Sequence, residues 1–68
     1  GADGKLKGLR LRGGYELDLE WSKGALSEAV IRGVSNETNE IELRYGEGTR
    51  TLAIRRGEAR ALSARDFE

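Results

Sequence analysis

"RGGYELDLEWSKGAL", residues 12–26, sets an apolar or aromatic side chain at every second position of its middle and a carboxylate between each pair. Tyr15, Leu17, Leu19 and Trp21 share one parity, and Glu16, Asp18 and Glu20 share the other. Successive side chains of a strand point to opposite faces, so the stretch predicts a strand with one face buried and one wet. Gly13-Gly14 before it and Gly24 after it supply the backbone freedom that tight reversals need.

The same period recurs outward from this stretch. In GLRLR (8–12), Leu9 and Leu11 oppose Arg10 and Arg12. In IELRY (41–45), Ile41, Leu43 and Tyr45 oppose Glu42 and Arg44. In TLAIR (51–55), Leu52 and Ile54 alternate with Ala53 and Arg55, and ARAL (59–62) reads as a short last strand. SNETN (35–39), YGEG (45–48) and RRGE (55–58) lie between these runs as turns. Strand signals at this spacing predict an all-β fold, a small antiparallel β-sandwich of about six strands joined by hairpins. The chain of 68 residues is one domain, with residues 1–5 and 63–68 expected as flexible ends and a helical turn as the alternative for SARDFE.

Two details of register follow. A hairpin turning over Gly13, Gly14 and Tyr15 pairs Leu11 with Leu17 and Leu9 with Leu19, and Arg12 with Glu16 and Arg10 with Asp18, so that like faces like. In the next strand Leu26 has the opposite parity to Ala29 and Ile31. A β-bulge near Ser27 and Glu28 would reconcile them, leaving Val30 and Val34 in need of cover from a neighbouring domain.

Composition removes whole classes of function. With 12 basic and 12 acidic residues the net charge is zero, which argues against a nucleic-acid partner and against a polybasic membrane surface. No apolar run approaches the roughly 18 residues of a membrane-crossing helix. The absence of Cys and His excludes zinc fingers, thiol nucleophiles, Ser-His triads and imidazole bases, and no cofactor is expected. There is no Met either, so the chain reads as a piece of a longer protein, with Gly1 and Ala2 as a cloning remnant.

Each candidate site has a plainer reading. Glu16, Asp18 and Glu20 could form a metal or acid–base cluster, since glycosidases work with paired carboxylates. Acids at every second strand position, with an arginine strand opposite, are more simply a solvated face of charge pairs. A single RGG and the YGEGT turn lack the repetition and the Lys-Ser/Thr ending that RNA-binding tracts and phosphate loops need. Asn36-Glu37-Thr38 fits the N-glycosylation pattern, a short and common match. Trp21 is the weak candidate for ligand binding, as a platform for a sugar ring. Its parity, like that of Tyr15 and Tyr45, instead assigns it to the core, where Trp21 would be an anchor.

Residues 8–62 resemble the C-terminal β-domain of bacterial α-L-fucosidases of glycoside hydrolase family 95. Gly8-Leu9-Arg10, Arg12-Gly13-Gly14, Tyr15, the alternating ELDLE and Trp21 carry the resemblance, followed by Gly24, Leu26, Ala29, Ile31, LRYG (43–46) and RGEARAL (56–62). Leu11 departs from it, the family commonly having Ala there. The resemblance implies a parent with an N-terminal β-sandwich region, an (α/α)6 barrel and a terminal β-domain. Inverting hydrolysis of α-1,2-linked fucose then belongs to acidic and amide residues of the barrel. None of those positions falls in this stretch, so no catalytic, cofactor or metal residue carries over. The expected role is a non-catalytic accessory domain bracing the catalytic barrel of its own chain. A carbohydrate-binding module with a glycan partner and an unrelated structural or protein-interaction module remain as alternatives. The residues leave the compartment open, and the resemblance implies a secreted or periplasmic bacterial parent.

Overall fold

A computed structural model describes residues 3–68; Gly1 and Ala2, read above as a cloning remnant within a flexible end, lie outside the described residues. Six strands form: β1 (Gly4–Leu11), β2 (Tyr15–Ser22), β3 (Ala25–Gly33), β4 (Glu40–Tyr45), β5 (Gly48–Ala53) and β6 (Ala59–Leu62). A 3-10 helix, Ala64–Phe67, follows. The strands make two antiparallel sheets, one ordered β1-β2-β3-β6 and the other β4-β5. The all-β architecture expected from the alternation is the one observed. The last strand returns to pair with β3 rather than with its predecessor β5.

The decisive stretch becomes β2, the second strand of the larger sheet. Its hairpin with β1 turns over Arg12, Gly13 and Gly14, so Leu11 faces Tyr15, Arg10 faces Glu16 and Leu9 faces Leu17. This lies two residues from the expected register. A shift of two keeps every side chain on its face, so alternation alone cannot separate the two pairings. Beyond Leu9 a bulge sets Lys7 and Gly8 against Asp18, and the ladder resumes with Leu6 opposite Leu19. Gly8 takes a φ of 71°, a left-handed conformation that a side chain would resist. The bulge expected in β3 is present: Glu20 faces Glu28 but Trp21 faces Leu26, which leaves Ser27 as the extra residue and puts Leu26, Ala29 and Ile31 on one face.

The core lies between the sheets. Tyr15, Ala29, Ile31 and Leu62 from the larger sheet meet Leu52 and Ile54 from the smaller side, with Leu11, Leu17, Leu19, Leu26, Ile41, Leu43 and Phe67 packed around them. Trp21 is not among them. It is half-buried at the far end of β2, with its indole laid on Gly4 so closely that a Cβ there would come within 2.6 Å of the ring. The expected core anchor is therefore an edge cover. Its parity is right, but the two-stranded sheet is too narrow to reach over it.

A polar knot closes the opposite end. Asn36, 2% exposed, donates through Nδ2 to the carbonyls of Thr38 (2.8 Å) and Ile54 (3.0 Å). The Tyr15 hydroxyl donates to the same Thr38 carbonyl at 2.9 Å. Gly33 exchanges backbone bonds with Glu58 and Gly57, and any Cβ on it would collide with the Arg55 carbonyl. These donated bonds rigidify the end of the core, while the buried Asn36 Oδ1 has no partner among the described residues.

Candidate functional site

Three surfaces could carry function: the charged outer face of the larger sheet, the Trp21 end, and the apolar mouth between the sheets.

On the outer face the three carboxylates of β2 have different environments. Asp18 accepts the Gly8 amide at 2.8 Å, an amide that the bulge turns toward it. It also accepts both terminal nitrogens of Arg32, at 2.6 and 3.2 Å. These contacts hold its pKa below the ordinary value of 3.8: the Gly8 amide contributes most, partial removal from water opposes it, and the Arg32 and Lys7 charges lower it further. Glu16 lies 3.9 Å from the Arg32 Nε. Asp18 and Glu16 are thus paired with Arg32 of β3, and not with Arg10 and Arg12 as expected. Glu20 stands opposite Lys5 on one side and Glu28 on the other. Among the described residues no group of three or more potential ligands is placed to hold a metal ion.

At the Trp21 end a shallow cleft of about 320 Å³ runs between Asp3, Gly4, Lys5, Glu20, Trp21 and Ser22. The Asp3 carboxylate is already engaged, accepting the Lys23 amide at 2.8 Å. The indole is the one aromatic surface here, and its edges are flanked by charges of both signs.

The mouth between the sheets is different in kind. Leu17, Leu19, Leu26, Ala29, Leu43, Tyr45 and Phe67 line an almost wholly apolar cleft of about 190 Å³, with Arg44 beside them. Tyr45 was expected in the core. It stands instead at the rim, its ring 5.9 Å from that of Phe67 and tilted by 60°, and its hydroxyl accepts the Leu26 amide at 2.8 Å, linking the two sheets. Sequence reasoning missed Phe67, which sits in the tail, and missed Asn36 as a buried hub. The second had a signal available: Asn-Glu-Thr-Asn in a long turn offers side chains that bond to nearby backbone.

The other motifs resolve as turns. YGEGT is the two-residue β4–β5 hairpin over Gly46-Glu47, and RGG is the β1–β2 turn. Asn36 of the glycosylation pattern is buried with both amide hydrogens committed.

The family described as "Glycoside hydrolase family 95, C-terminal domain" matches residues 2–66. No curated protein and no solved structure matches the chain.

Proposed function

Because the chain belongs to the C-terminal domain family of glycoside hydrolase family 95, we propose that it is a non-catalytic accessory domain that braces the catalytic barrel of its own parent chain. The parent is a glycoside hydrolase by family, and we read it as a bacterial α-L-fucosidase. Membership over nearly the whole chain is the observation that carries this reading. The outer-face carboxylates agree with it. A retaining or inverting glycosidase needs one carboxyl free to give a proton and another free to act as base or nucleophile. Here Asp18 is held ionised by an amide and an arginine, and Glu16 leans on the same arginine.

Removing residues 3–68 from the full-length parent tests this. The brace reading expects the remaining enzyme to unfold at lower temperature, while the kcat/KM of the surviving folded fraction on a soluble fucosyl substrate stays the same. One observation favours a second reading, a carbohydrate-binding module: Trp21 lies outside the core beside an open cleft. That reading expects the truncated enzyme to keep its melting temperature and lose retention on immobilised glycan, and Trp21→Ala in the full chain to do the same.

A further inference from the structure

Two faces could meet the rest of the parent. The outer face carries Val30 and Val34, which the sequence left in need of cover. Val34 is 48% exposed, but these valines stand among Glu16, Asp18, Arg32, Glu20, Glu28 and Lys5, so covering them would strip water from several charges. The inner face of the β1 edge carries fewer charges: the cleft it borders has Arg44 as its one charged lining residue. Leu6 (48% exposed) pairs with Leu19, and Leu9 (37% exposed) pairs with Leu17. Leu17 and Leu19 in turn line the apolar cleft that Tyr45 rims. Leu6, Leu9, the cleft and Tyr45 are therefore one continuous apolar surface, left open because the β4–β5 sheet does not reach β1.

We propose that this surface is the seat of the parent's catalytic domain, with an apolar side chain of that domain entering the 190 Å³ cleft. The inference rests on the brace reading and adds the face to it. Two observations select this occupant. First, in a C-terminal domain the rest of the enzyme precedes the matched residues. β1 is the first strand and a sheet edge, so the incoming chain arrives beside Leu6. Second, the patch presents only Leu6, Leu9, Tyr45 and the mouth of the cleft, far fewer than the roughly 20–30 residues a side of a stable complex between separate chains. A second copy would be held weakly by so small an area. A covalently linked domain meets it at millimolar effective concentration, where a small apolar contact suffices.

Single cysteines in the full-length parent read the answer, since residues 1–68 contain none of their own. Leu6→Cys and Leu9→Cys report the inner face; Ala61→Cys, exposed and opposite Val30, reports the outer one. Labelling by a thiol reagent is followed at each site by peptide mass spectrometry and referred to the same variant in urea. The expected result is that both inner-face cysteines react about tenfold or more slower than Ala61→Cys. Protection of Ala61→Cys with a freely reactive Leu9→Cys would overturn this face and leave the brace intact. Free reaction at all three sites would remove both. Recovery of the parent as a dimer whose dissociation on dilution frees Leu9→Cys would replace the catalytic domain with a second copy.

Discussion

Gly33, Asn36 and Trp21 show how far single residues answer to their surroundings. Gly33 lies where two backbones touch, so Gly33→Ala must push the Arg55 backbone away. The expected cost is about 1–3 kcal/mol, as for other overpacked sites, read as a lower urea midpoint. Asn36→Ala leaves the Ile54 carbonyl buried without its donor and should cost about 1–3 kcal/mol. The same burial closes the Asn36-Glu37-Thr38 pattern to modification once the chain has folded. If the chain is sent through a eukaryotic secretory pathway, the folded fraction should show no N-glycan by intact mass. Trp21→Ala should cost only about 1–2 kcal/mol, less than the 3–5 of a fully buried indole, because one side of the ring is already in water.

At the scale of the strands, the charge pairing across β1, β2 and β3 makes a prediction about pH. Asp18 has a lowered pKa in the fold, so its contribution to stability is complete above its ordinary value of 3.8 and fades as pH falls below that value through the folded one. Wild-type urea midpoints should therefore drop in acid, and Asp18→Asn should remove part of that drop while lowering the midpoint at neutral pH. The strands also show what the sequence made legible. The broken parity between Leu26 and Ala29 announced the β3 bulge, because a face change needs one extra residue. The β1 bulge had no such signal: Lys7-Gly8 sits among mixed residues, and only its partner Asp18 shows why it is there. The turn register was ambiguous by two residues because face matching repeats with that period. The fate of Trp21 depended on the width of the opposing sheet and that of Tyr45 on its place at the end of β4, neither of which a local pattern encodes.

The whole molecule is a four-stranded sheet half covered by a two-stranded one. Sixty-eight residues with so small a shared core should be stable by only about 2–5 kcal/mol, a value urea denaturation of the separate domain would measure. Substitution of Leu9 by a polar residue should cost the separate domain about 1 kcal/mol, since Leu9 is 37% exposed there, and should lower the melting temperature of the full-length parent by more than that loss accounts for.

The return of β6 to β3 has a consequence in time. β1, β2 and β3 form a meander of neighbours, each joined by a turn of two or three residues. β6 cannot take its place until the chain has run out through β4 and β5 and come back, closing a loop from Arg32 to Ala59. Long closures are slow and come after local ones. Refolding should thus begin in the meander and finish at the β3–β6 seam. In stopped-flow experiments, truncating Leu17 should slow folding, whereas truncating Leu62 should chiefly hasten unfolding. Equal effects of both truncations on the folding rate would show instead that the seam closes early.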